Sequence, residues 1–103
     1  MRHIILMPEY ESYPIWEEED GGLENYTAHN LPIPRNVAEE IESWGLLYCS
    51  TYNANDPLSS RFKTKEEERC FIAKGHGFHK QLKLYLGKFF CVTYKDILGN
   101  SYE

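Results

Sequence analysis

The sequence has no stretch approaching the ~20 consecutive apolar residues that a membrane-spanning helix requires, so no membrane association is expected. Its first apolar run, Ile4 to Met7, is only four residues long and is followed by Pro8 rather than by a small-residue cleavage site, so no secretory leader is expected either. Cysteine is sparse. Cys49, Cys70 and Cys91 are odd in number and far apart, which fits no disulfide framework and points to reduced thiols in a cytoplasmic protein. No Cys-x-x-Cys pair occurs, and His76 and His79, three apart, have no second ligand cluster at zinc spacing; they read as exposed helix histidines. Gly-x-x-x-x-Gly-Lys is absent, and Gly75-His76-Gly77 follows helical residues rather than a strand, so nothing cradles a nucleotide phosphate. No catalytic-cysteine signature is present, and Cys49 and Cys91 sit in apolar segments, where free Cys behaves as a small buried hydrophobe. Catalysis and cofactors are therefore not expected.

What the sequence has is aromatic bulk and segregated charge. Its 103 residues support one domain, 1–103, and fifteen aromatics (eight Tyr, five Phe, two Trp) give that domain large packing units. The net charge of −5 divides unevenly. Residues 1–60 carry eleven acids against Arg2 and Arg35, a net of −9, whereas residues 61–103 carry nine bases against five acids, a net of +4. Such a split describes either a molecule with two electrostatic faces or two halves that pair internally.

Periodicity predicts an α+β fold: a small sheet that includes the N-terminal and C-terminal strands, covered by two helices. His3–Met7 reads as the first strand and Tyr10–Trp16 as an edge strand interrupted by Pro14. Glu17–Gly22 reads as a loop, because adjacent like charges repel and a Gly pair ends regular structure. Residues 23–33 read as irregular. Val37, Ile41, Trp44, Tyr48 and Tyr52 recur at helical spacing and place a helix at about 35–52, with Pro34 as an early residue. Residues 53–63 are rich in turn formers and read as a connection. Thr64-Lys65-Glu66-Glu67 has capping-box spacing and opens a second helix, about 64–86. Its expected inner face is Phe71, Gly75, Phe78, Leu82 and Tyr85, with Gly87 as the stop. Gly75 and Gly77 inside it each cost about 1 kcal/mol relative to Ala, which calls for a close approach by another backbone or for a bend. Lys88–Lys95 reads as a central strand, apolar on both faces and paired with the first.

The acidic segment carries the functional signal. Trp16 is followed by Glu17, Glu18, Glu19 and Asp20, then by Glu24 and Tyr26. An aromatic anchor within a charged rim suits a protein interface, and concentrated carboxylates speed the capture of a basic partner. Glu39, Glu40 and Glu42 form a second acidic candidate. The competing reading is a nucleic-acid-binding or regulatory module built on the basic residues of 61–88. The acidic balance, with a pI near 5.4, argues against it, because phosphate neutralisation supplies most of such affinity.

Pro14-Ile15-Trp16 with its acidic run and Gly21-Gly22, Leu31-Pro32-Ile33, a helix bearing Trp44 and Tyr48, Asn53-x-Asn55-Asp56-Pro57-x-Ser59-Ser60, and Glu66-Glu67-Glu68 before Phe71 together form a recognisable pattern. It resembles small acidic bacterial immunity proteins of polymorphic or contact-dependent growth inhibition toxin systems. The resemblance implies an antitoxin that binds and neutralises a cognate toxin domain. That partner is expected to be basic and of the nuclease type, with an acidic surface standing in for nucleic-acid phosphates.

Overall fold

The computed structural model describes residues 1–53, 55 and 62–103. Part of the expected 53–63 connection, and with it Arg61, lies outside the described residues. Five strands form one mixed sheet: β1 (Arg2–Leu6), β2 (Ile15–Glu19), β3 (Gly22–Tyr26), β4 (Phe90–Lys95) and β5 (Ser101–Tyr102), in the order β3-β2-β1-β4-β5. The two long-separated strands β1 and β4 run parallel at its centre, with Ile4 opposite Val92 and Leu6 opposite Tyr94. The other pairings are antiparallel. Two helices follow β3: α1 (Arg35–Cys49) and α2 (Lys65–Leu86). The anticipated α+β architecture, with terminal strands in the sheet and two helices, is the one observed.

Strand alternation divides the sheet into a core face and an open face. Ile4, Leu6, Ile15, Val92 and Tyr94 are buried in the core together with Val37, Ile41 and Trp44 of α1 and Phe71, Leu82 and Leu86 of α2. α1 begins one residue later than Pro34, which serves as its N-cap and offers its carbonyl to Val37 and Ala38. It also ends at Cys49, short of the expected residue 52. Tyr52 lies beyond it, 41% exposed, and packs at a tilt on Tyr10. Tyr10 itself stacks on Tyr48 with ring centroids 4.4 Å apart, fixing the 9–14 segment to the C-terminal end of α1. That segment is not a strand, so the expected 10–16 strand shifts to 15–19.

α2 has the expected ends. The Thr64 side chain accepts from the Glu67 amide at 3.1 Å, three acids occupy the first turn, and Gly87 closes the helix at φ +63°. Its inner stripe is rotated, however, from the expected Phe78 and Tyr85 to His79 and Leu86. Both sets fit a 3.6-residue period, so spacing alone does not separate them. His79 is tolerated inside because its Nε2–H donates to the Val92 carbonyl at 3.0 Å. β4 was expected to be apolar on both faces, but Cys91 is exposed and Phe89, just before the strand, is 72% exposed, although Thr93 on the same side is buried. The short strand β5 was not anticipated.

Gly75 is explained by aromatic side chains rather than by another backbone. A Cβ there would overlap the Tyr94 phenol and stand 2.8 Å from the Trp44 ring. At Gly77 an added Cβ meets nothing within 4 Å among the described residues. Gly75→Ala is therefore expected to destabilise the protein by about 2–3 kcal/mol through overpacking. Gly77→Ala is expected to be neutral or to stabilise it by up to about 1 kcal/mol. Urea unfolding of the pair checks this; equal midpoints would contradict the packing described.

Candidate functional site

The acidic segment is a hairpin, not the expected loop. β2 and β3 pair from Ile15 opposite Tyr26 to Glu19 opposite Gly22, and Asp20-Gly21 forms the turn with Gly21 at φ +80°. Asp-Gly between two extended segments is a hairpin signal in its own right. Residues 22–26, expected to be irregular, supply the second strand.

A two-residue period sends neighbouring acids to opposite sides, and their fates differ. Glu17 faces the core side and is 6% exposed. Arg2 grips it with two bonds, Nε to Oε2 and Nη2 to Oε1, each 2.8 Å, and the Tyr26 hydroxyl donates to Oε1 at 2.6 Å. The guanidinium also lies over the Phe90 ring, 4.9 Å from its centroid. Arg2 and Tyr26 hold the Glu17 carboxyl down at about 2, against its ordinary value of 4.5. The same contacts raise the Arg2 guanidinium, while burial and the Glu17 charge raise the Tyr26 phenol. Glu17 is thus an internal anchor rather than a free contact. On the open face, Glu18 meets His3 Nδ1 at 3.0 Å while keeping half its surface in water.

Glu19, Asp20 and Glu24 are exposed at the tip and form no ion pair among the described residues. Repulsion from Glu24, above all, raises the Glu19 carboxyl. No basic side chain pairs with this group among the described residues, whereas Arg2 holds Glu17 and the His3 ring meets Glu18.

The expected aromatic anchors are less available than their sequence suggested. The Trp16 indole is half-buried and donates to the Met7 carbonyl at 2.9 Å, and the half-buried Tyr26 is committed to Glu17. Tyr13 and Leu23, 53% and 50% exposed, are the large apolar groups near the hairpin. Sequence reading missed both; Leu23 was detectable once the turn at 20–21 is recognised. In the second acidic candidate, Glu39 and Glu40 are exposed, with Glu39 paired to Arg35 at 3.0 Å. Glu42 turns inward and accepts the Ala28 amide at 2.8 Å, capping the 3-10 turn at Ala28–Asn30.

Neither histidine of α2 is the exposed residue expected. His79 is buried, and His76 sits edge-on against Tyr102 at 4.5 Å and Tyr94 at 5.1 Å. No group of three or more His, Cys, Asp or Glu converges as metal ligands among the described residues. Among those residues, no helix is long and apolar enough to cross a membrane. Of the cysteines, Cys70 and Cys91 are exposed and Cys49 is half-buried, so the expectation of buried Cys91 is not met.

The acidic hairpin thus lies at the edge of the small mixed sheet, with no ion pair at its tip among the described residues. Comparison with protein families agrees with the resemblance seen in the sequence: residues 2–97 match the family described as Serratia CdiI immunity protein-like. The chain belongs to that family. Comparison with curated proteins gives no significant match.

Glu17 yields a pH prediction. Its folded-state value lies below its unfolded value, so its contribution is complete above about pH 4.5 and disappears as pH falls toward about 2. Glu17→Gln is expected to cost roughly 1–2 kcal/mol at neutral pH, discounted for the half-exposed Arg2, and to flatten the acid limb of stability. Denaturant unfolding from pH 2 to 7 measures both. An acid limb identical to that of the parent protein would mean that the acid sensitivity lies elsewhere.

Proposed function

We propose that this immunity-family chain neutralises a cognate toxin domain by stoichiometric binding, with the hairpin tip (Glu19, Asp20 and Glu24, assisted by Glu18) as the steering surface. The partner on this reading is basic, and a nuclease cleft that normally holds phosphates is the surface such carboxylates suit. The observation that carries the reading is the uncompensated tip. Folding gains nothing from three exposed carboxylates in mutual repulsion, whereas association with a cation-rich surface gains both rate and specificity. The protein acts by occupancy, and no bond is made or broken.

Reversal of Glu19, Asp20 and Glu24 to Lys, leaving Glu17 and Glu18 in place, tests this. The association rate with the toxin domain encoded alongside it is expected to fall at least about tenfold at low salt, with a shallower salt dependence. An unchanged rate would remove the tip from the interface.

One observation favours a second reading. Lys65, Arg69, Lys80 and Lys83 fall within one narrow sector of α2 by helical geometry, and all are exposed. A nucleic-acid-binding role for this stripe predicts association with RNA or DNA that weakens steeply with salt. Fluorescence anisotropy with mixed oligonucleotides decides between the two; no binding at 50 mM salt discards it.

A further inference from the structure

Between α1 and α2 lies a groove of about 980 Å³, separate from the hairpin. Large aromatics hold the helices apart: the Trp44 ring stacks on Phe71 at 4.5 Å and meets Phe78 edge-on at 5.5 Å. Trp44 and Phe78 floor the groove, with Leu47 beside them, 50% exposed. Small residues, Ser43 on α1 and Gly77 on α2, line opposing walls. Glu39 and Glu40 stand on one wall against Lys74 on the other; Glu39 is already paired with Arg35, which leaves Glu40 as the carboxylate of that wall without an ion pair among the described residues.

Gly77 is the telling residue. A glycine in the middle of a helix costs about 1 kcal/mol relative to Ala. Gly75 has an internal reason for being Gly, but among the described residues Gly77 has none: its Cβ position meets no neighbour and it has no positive φ. A missing side chain at a groove wall leaves room there for a close approach from outside the molecule.

From this juxtaposition we infer that the α1–α2 groove is a second contact site for the toxin domain. It receives a segment whose apolar side chain enters over Trp44 and Phe78 while an adjacent Lys or Arg pairs with Glu40, beside the Arg35–Glu39 pair. The apolar floor matches the first group and the surplus carboxylate the second, and the absence of a side chain at Gly77 lets the segment's backbone come close. The inference rests on the immunity reading. It divides the labour: the hairpin tip sets the rate of encounter, and the groove, a desolvated aromatic pocket with a charged rim, sets residence time and partner choice.

The test is Gly77→Phe, which fills the groove from its wall, measured beside Glu39→Lys/Glu40→Lys against the cognate toxin domain by surface kinetics. Both variants are expected to keep the parent unfolding midpoint within experimental scatter and to raise the dissociation rate at least about tenfold. In Gly77→Phe the association rate is expected to change less than threefold. Should Gly77→Phe lose stability, Ser43→Phe fills the same groove from the opposite wall and carries the same expectation. Dissociation unchanged in a folded groove-filled variant, while the parent protein binds tightly, overturns the groove alone. A parent protein that does not bind the toxin domain overturns the immunity reading and the groove with it. Sedimentation covers the remaining occupant: a parent dimer that Gly77→Phe converts to monomer would assign the groove to a second copy of this chain and overturn the inference.

Discussion

Two buried aromatic side chains reach across the core to consecutive carbonyls of the same helix. The Trp44 indole donates to the Phe71 carbonyl at 2.9 Å, and the Tyr94 hydroxyl donates to the Ile72 carbonyl at 3.2 Å. One turn later Gly75 leaves the space that the Tyr94 ring occupies. α2 is thereby held simultaneously against α1, through Trp44, and against the sheet, through Tyr94. Burial raises the Tyr94 phenol, which keeps it in the neutral form that donates this bond. The same rings act as spacers. Because Trp44, Phe71 and Phe78 fill the region between the helices, α1 and α2 cannot close on one another, and the groove above them is a consequence of the clamp below.

The hairpin shows how the fold manages a concentration of acid. Four adjacent carboxylates would repel one another in any conformation, yet the strand period separates them in space and the sheet supplies partners for two. Arg2 and Tyr26 take Glu17 into the core side; His3 takes Glu18 on the open side. His3 in turn meets the Thr93 hydroxyl at 2.8 Å, which reaches Glu103 at 3.2 Å, so one chain of side chains crosses the open face from β2 to β4 and beyond. No buried side-chain polar atom among the described residues lacks a partner. Internal pairing between the acidic and basic halves, one of the two meanings of the charge split, accounts for little of this. The side chains that hold the hairpin's acids, Arg2 and His3, belong to the N-terminal strand, while most lysines of α2 remain in water.

The helices and terminal strands were legible in the sequence because each is specified locally. A four-three-four spacing of large apolar residues marks α1, a Thr cap with acids in the first turn and a terminal glycine mark α2, and runs of Ile or of Phe and Val mark β1 and β4. The hairpin was not legible for a physical reason: repulsion among Glu17, Glu18 and Glu19 argues against a strand unless distant residues neutralise them, and Arg2 and His3 become neighbours only when β1 docks. The candidate contact residues divide on the same ground. Glu19, Asp20, Glu24, Glu39 and Glu40 are exposed, as their sequence suggested; Glu17 and Glu42 are consumed by Arg2 and Ala28, and Trp16 and Tyr26 by hydrogen bonds to Met7 and Glu17.

By itself the sequence determined the class of fold, the ends of α2, the membership of both terminal strands in one sheet and an immunity-type pattern, since these follow from period, capping and composition. Tertiary structure alone decided which carboxylates face solvent, which of two equivalent stripes of α2 points inward, and that a groove stands open between the helices. Each depends on what lies opposite a side chain in space, and a one-dimensional pattern of residue types does not contain that.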